Sequence, residues 1–228
     1  MRRALSKAVL DLVTLLTALD RLKVFPLPDA VLLPGGALPL AVFEPRYRAL
    51  VEEALRGDRM LAIAMPERSR ARGREQRARL RPIACLGFIE DVGGDDRGWL
   101  EILVRGVARI RILGEHPRAA PFREVRAELA DETQCESSEQ LATLRAALAP
   151  LWALLPEERR EALASASDSP LEPGPLCDAI ALAVVDKPAE LQALLEALDV
   201  RARSQRLLDR IGALLFESQP RPPRGHLA

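Results

Sequence analysis

Apolar residues recur along this chain at two different periods, and the changes of period divide it. Leu5, Val9, Leu12, Val13, Leu16 and Leu19 follow one another at three- and four-residue steps, the stripe of an amphipathic helix over residues 3–20. From Leu22 the spacing changes. Val24, Phe25 and Leu27, with Pro26 and Pro28 between and after them, form an extended segment that proline keeps out of a helix. Pro34-Gly35-Gly36 predicts a turn, and residues 37–43 a strand in which Pro39 indicates an edge or a bulge. Glu44-Pro45 then opens a helix, with Tyr47, Leu50, Val51, Ala54 and Leu55 on one face and Gly57 as its stop.

Short apolar runs follow at residues 60–65, 83–92, 99–105 and 107–113, with 122–129 as a further candidate strand. The turn before Trp99 is explicit, since Gly93-Gly94-Asp95-Asp96-Arg97-Gly98 supplies residues that tolerate positive φ. Six or seven short strands with one early helix suit a sheet that closes on itself, because closure removes exposed edges. From residue 137 the helical period returns, with helices predicted at Leu141 to Leu151, from Pro156, and over 176–185, 189–198 and 201–216. The pattern predicts an α+β protein: a small closed, mostly antiparallel β-barrel followed by an α-helical bundle. The segments are an N-terminal helix at 1–21, the barrel at 22–134, the bundle at 135–217 and a proline-rich, disordered tail at 218–228.

Composition adds mainly exclusions. Lys plus Arg equals Asp plus Glu at 33 each, so no net field draws the molecule to nucleic acid or anionic lipid. Cys85, Cys135 and Cys177 are odd in number and far apart, which argues against disulfides and zinc and for buried thiols. Arg2-Arg3 before an apolar stretch is a partial match to a secretory leader, but Asp11 interrupts the stretch and no small-residue cleavage site follows it. A cytoplasmic protein is expected.

No phosphate-binding G-x-x-x-x-G-K-[ST], nucleophile elbow or H-E-x-x-H occurs, and His116 stands apart from any serine and aspartate partners. No enzyme, cofactor or metal is expected. Glu44 with Glu52 or Glu53, and the glycine pairs at 35–36 and 93–94, read as exposed helix charges and turn formers. One charge cluster stands out: residues 67–81 hold seven arginines (68, 70, 72, 74, 77, 79 and 81) against two acids. Such a loop suits phosphate backbones or an acidic segment, though without interleaved aromatics it gives no base stacking.

The stretch from Phe25 through the Pro34-Gly35 turn and Leu38-Pro39-Leu40 to Phe43-Glu44-Pro45-Arg46-Tyr47-Arg48 resembles the opening of the Lon protease N-terminal domain, in its free-standing branch. Gly57-Asp58-Arg59, Cys85-Leu86-Gly87, Val104-Arg105-Gly106-Val107, Asp178-Ala179-Ile180 and Lys187-Pro188-Ala189-Glu190 fit the same family, so the likeness covers roughly residues 22–216. It implies a PUA-like barrel with a helical bundle and a non-catalytic role, with ATPase and protease modules outside the matched region. The helix at 3–20 has no counterpart in it and is expected to cover the barrel or mediate self-association as a homodimer. The partners implied are unfolded or apolar polypeptide segments and a protease or chaperone, with RNA as the alternative. Candidate binding residues are Arg46, Tyr47 and Trp99, with Arg70, Arg72 and Arg74 in the basic loop. The plainer reading of Tyr47 is helix core, and of Arg46 pairing with a nearby acid or with barrel carbonyls.

Overall fold

In the computed structural model the structure describes residues 12–67, 78–94, 99–133, 138–160, 163 and 172–218. The chain divides into two compact units, residues 1–131 with 187–196, and residues 132–186 with 197–228. It is an α+β fold with a mixed β-sheet followed by helices.

The first unit begins with α1 (Leu12–Asp20), followed by β1 (Leu22–Pro26), β2 (Ala37–Val42), α2 (Pro45–Arg56), β3 (Met60–Ala64), β4 (Ile83–Gly94), β5 (Leu100–Glu115) and β6 (Arg123–Leu129). The strands lie in the order β2-β5-β4-β3-β1-β6, and β6 also pairs with β5. The succession therefore leaves β5 and returns to it, with β2 attached outside. Among the described strand pairs of this unit only β1–β3 is parallel. Alternating residues explain the interior. Leu22 and Val24, Met60, Ala62 and Ala64, Ala84 and Leu86, Ile110, and Val125 and Ala127 meet in one buried cluster, which Ala18 and Leu19 of α1 join.

The expected fifth and sixth strands are one sixteen-residue strand, β5. Gly106 interrupts the apolar pattern but not the ladder, because β4 pairs with β5 on both sides of it. Register slips there: Gly87 faces Gly106 while Leu86 faces Ala108, leaving Val107 as an extra residue. A bulge bends a strand and increases its twist. The half before the bulge pairs with β2, from Ala37 opposite Arg105 to Val42 opposite Leu100, and the half after it with β6, from Ile110 opposite Leu129.

Glycine at 106 is a steric requirement. A Cβ there would stand 2.1 Å from the Leu33 carbonyl oxygen and 3.2 Å from Pro34 Cα. The same approach lets the Gly35 amide donate to Gly106 O and the Gly106 amide to Gly36 O, both at 2.9 Å. The Pro34-Gly35-Gly36 turn is thus pinned to β5 at the point where β5 changes partners.

A further helix of this unit, α5 (Pro188–Glu196), comes from the stretch assigned on sequence to the bundle. Its anchors are polar. Gln192 Nε2 donates to Ile83 O at 2.9 Å, buried Arg109 donates through Nε to Leu195 O at 3.0 Å, and Arg81 forks onto both oxygens of Glu196.

In the second unit α3 (Ser138–Trp152), α4 (Pro173–Val184) and α6 (Val200–Glu217) pack together through Leu144, Leu148, Leu176, Ile180, Leu207 and Ile211. The helix expected from Pro156 is helical at 157–160, and most of its continuation lies outside the described residues, as does the tail from 219. Asp199 caps α6 by accepting from the Arg201 and Ala202 amides. One turn later Arg203, 1% exposed, reaches Glu132 at 2.5 Å and Ala197 O at 2.9 Å, with Asp178 of α4 3.6 Å from its Nε. Gly174 gives it room, since a Cβ there would lie 3.1 Å from the guanidinium.

Two outcomes follow. Gly106→Ala is expected to lower stability by about 3 kcal/mol in urea unfolding through backbone overpacking, whereas Gly114→Ala, with open space at its Cβ, stays within about 0.5 kcal/mol. An equal effect of the two would refute the close-approach account. Arg203→Met is expected to remove about 3 to 5 kcal/mol from the second unit by leaving Asp178 buried without its cation, and adding Asp178→Leu recovers much of it. The readout is thiol labelling of buried Cys177 in a Cys135→Ser background.

Candidate functional site

Chemistry that needs a reactive group has little to work with here. Among the described residues no three His, Cys, Asp or Glu side chains stand close enough to hold a metal ion. Cys85 and Cys177 are buried, and burial pushes the Cys177 thiol up, its contact with Ser204 Oγ at 3.0 Å opposing the shift only in part. Cys135 and His226 lie outside the described residues. The ring of His116 is held by the Asp20 carbonyl at 2.7 Å. The candidate carboxylates are divided between separate ion pairs, Glu44 with Arg46 and Glu52 and Glu53 with Arg56.

What the first unit does present is apolar surface. The register of β2 with β5 places Pro39 opposite Leu103, Ala41 opposite Glu101 and Val42 opposite Leu100, and just past the end of this ladder the rings of Phe43 and Trp99 meet. The two rings stand 6.0 Å apart at 42°, with Phe43 60% and Trp99 54% exposed. Residues two apart on a strand share a face, so Ala37, Pro39, Ala41 and Phe43 make an exposed stripe leading to Trp99. Pro39 fits this edge, because a residue without an N–H leaves no donor unmet where β2 has no further strand beside it among the described residues. Sequence reasoning finds Trp99 but misses Phe43. The period-two run from Ala37 to Phe43 is the signal that points to it.

Arg46 and Tyr47 belong to a second feature, a cleft of about 250 Å³ lined by Pro26, Arg46, Tyr47, Pro66, Phe122 and Arg123 among others. Pro45 at the start of α2 sets Tyr47 in the first turn, where its ring stacks on buried Phe25 at 4.4 Å. The Arg46 guanidinium lies 4.7 Å from the Tyr47 ring and bonds Glu44 at 2.6 Å. On the other side Arg123 is held by both oxygens of Glu115 and by the Ala78 carbonyl. Each cation of the cleft has an acid beside it, so its character is an apolar floor with a neutralised rim. Phe122 and Arg123, distant in sequence from Tyr47, are brought to it only by the β1–β6 pairing.

Arg70, Arg72 and Arg74 lie outside the described residues. Of the same cluster, Arg81 is committed to Glu196.

These features sit on a chain whose residues 21–212 match the family model of the ATP-dependent protease La (LON) substrate-binding domain. Lon protease 2 of Myxococcus xanthus is 30% identical over 194 residues, and Lon protease of Roseiflexus castenholzii 31% over 193. Each alignment takes in 82% of this chain but only 23% of that protein. Among solved structures, the N-terminal domain of Mycobacterium avium complex Lon protease superposes with a TM-score of 0.65 at 24% identity, covering 84% of this chain and 98% of that one. A Lon N-terminal domain protein from Xanthomonas campestris gives 0.62 at 20%, covering 83% and 97%. The region matched is the non-catalytic N-terminal part of Lon and not its protease domain, and the chain belongs to the Lon substrate-binding domain family.

Proposed function

We propose that the chain is a polypeptide-recognition module of the cytoplasm, holding apolar stretches of unfolded protein as an adaptor to a protease or as an independent scaffold. The observation that carries this is the exposed Phe43–Trp99 pair at the end of the β2 stripe. We read the ring of strands closed by β5 and β6 as a PUA-like barrel, with β2 as an outer strand presenting that stripe.

The mechanism is burial without chemistry. Covering roughly 100 Å² of each ring at about 25 cal/mol per Å² gives about 2.5 kcal/mol per ring, from which the loss of translational and side-chain freedom must be subtracted. One pair of rings therefore supports only weak binding. A stripe that adds Pro39, Ala41 and Leu103 raises it, and its period of two suits an extended segment. The Tyr47 cleft has the dimensions of a single side chain rather than of a cofactor, being smaller than the ~300 Å³ at which small-molecule sites begin.

RNA is the second reading, motivated by the seven arginines at 68–81. Arg81, turned onto Glu196, is withdrawn from it. Trp99→Ala and Phe43→Ala are each expected to weaken binding of a reduced, carboxymethylated model protein by about 5- to 20-fold in titration calorimetry, roughly 1 to 2 kcal/mol. Their urea midpoints stay unchanged, since both rings are more than half exposed in the free protein. Wild-type binding that these changes leave intact would remove the stripe from the mechanism. Filter binding of RNA with a steep salt dependence would replace the polypeptide reading by the other.

A further inference from the structure

The register that aligns β2, β5 and β4 also decides which charges stand on the face of the stripe, since residues directly opposite one another in a ladder point the same way. Beyond the Phe43–Trp99 pair the first row is Ala41, Glu101 and Gly93, the second Pro39, Leu103 and Asp91, and the third Ala37, Arg105 and Phe88. Arg105 is neutralised. Its Nε and one terminal nitrogen both donate to Glu90, the residue that the slip between Ile89 and Asp91 adds to β4. Glu101 and Asp91 are exposed, and among the described residues no cation pairs with either. The face therefore joins apolar side chains to two unbalanced negative charges.

Glu101 is also uncovered sideways. Ala41 and Gly93 carry one side-chain carbon between them, and a Cβ at position 93 would lie 4.0 Å from Glu101 Cβ. The row is thus a low place between the two rings and Leu103, with a carboxylate in it. A second apolar surface of this unit makes the contrast. Exposed Leu16, Leu113 and Leu129 gather in a cleft of about 270 Å³ beside α1, but Asp20, Arg126 and Glu128 around it supply both signs. Carboxylates without counter-charges repel phosphate and attract cations. The stem of a lysine or arginine is itself apolar, so such a residue can lie along the stripe while its charged end meets Glu101.

We propose that the stripe takes extended polypeptide in which apolar and basic side chains alternate in phase. An aromatic or aliphatic residue sits against Phe43 and Trp99, a lysine or arginine two positions on lies over Glu101, and an aliphatic residue two further on meets Leu103 and Pro39, with Asp91 beside it for a second cation. Rows and facing side chains keep step because both chains are extended and advance by nearly the same rise per residue. The inference rests on the polypeptide reading and adds to it the class of sequence that is bound.

The test is calorimetric titration of the full chain with capped peptides containing Phe-Ser-Lys-Ser-Leu, the same with glutamine or glutamate for the lysine, and Phe-Lys-Ser-Ser-Leu, whose ammonium points away from the face. The in-phase lysine peptide binds about fivefold more tightly than the glutamine and out-of-phase peptides, the range of one or two exposed ion pairs, and the glutamate peptide is the weakest. Glu101→Gln brings the lysine and glutamine peptides to within about twofold of each other and leaves the glutamine peptide's affinity unchanged. Gly93→Lys, which sets a tethered ammonium beside Glu101, does the same; circular dichroism stays unchanged in both variants, since both positions are exposed. Four peptides bound alike, or a lysine preference that ignores phase or survives both substitutions, overturns the inference and leaves the polypeptide reading standing. Peptides that all fail to bind while the carboxymethylated protein binds overturn it too. If that protein also fails to bind, the polypeptide reading falls and takes the inference with it.

Discussion

The first unit depends on one close backbone approach, Gly106 against the Leu33–Gly36 turn. β5 is asked to pair with three strands, and a straight strand has only two edges. The bulge at Val107 meets this by bending β5, so that one edge serves β4 nearly throughout while the other is divided between β2 and β6. At the division the second edge would have unmet backbone groups. The turn fills it, with two 2.9 Å hydrogen bonds between Gly35, Gly36 and Gly106. No side chain fits in the space between the two backbones. That junction fixes where β2 lies and hence where Phe43 meets Trp99.

The second unit solves a similar convergence with charge. Residues 132 and 197, where the chain enters this unit for the first and the second time, are both held by the Arg203 guanidinium, which also faces Asp178. A bridge between Thr133 and Asp199 runs beside it. Burying an arginine and an aspartate adds little net stability over an apolar core of equal volume. Its effect is directional: a leucine in place of Arg203 could fill the space but not select the carboxylate of Glu132 and the carbonyl of Ala197 together. Glycine again makes the room, at position 174.

How much of this is legible in the sequence differs by scale. Local periodicity locates α2, β2, β3 and β4 to within a residue or two at most ends, because in these elements the burial of one face outweighs every other local preference. The same logic splits β5 in two, since a glycine in an apolar run looks the same whether it ends a strand or admits another backbone. Helix 188–196 reads as a bundle helix from its leucines; the hydrogen bonds of Gln192 and Glu196 that hold it to the sheet unit leave no periodic trace. Trp99 is visible as a large apolar residue beside a polar turn. Its pairing with Phe43, 56 positions away, needs the β2–β5 register, as the Tyr47–Arg123 cleft needs β1–β6.

The two apolar surfaces of the first unit differ in geometry, and that difference bears on what each accepts. The β2–β5 stripe presents side chains at a period of two on a pleated face, which an extended chain matches residue for residue. The cleft beside α1 has one wall made of helix and the other of leucines thrown outward by a bulge and a strand end. Within the described residues its helical wall offers Leu16 and Leu19, which lie close to one helical turn apart. One unit thus carries a surface with the period of a strand and another with the period of a helix, on opposite ends of the β5 ladder: Phe43 and Trp99 beside its first residues, Leu113 near its last. Binding at one surface therefore need not compete with binding at the other.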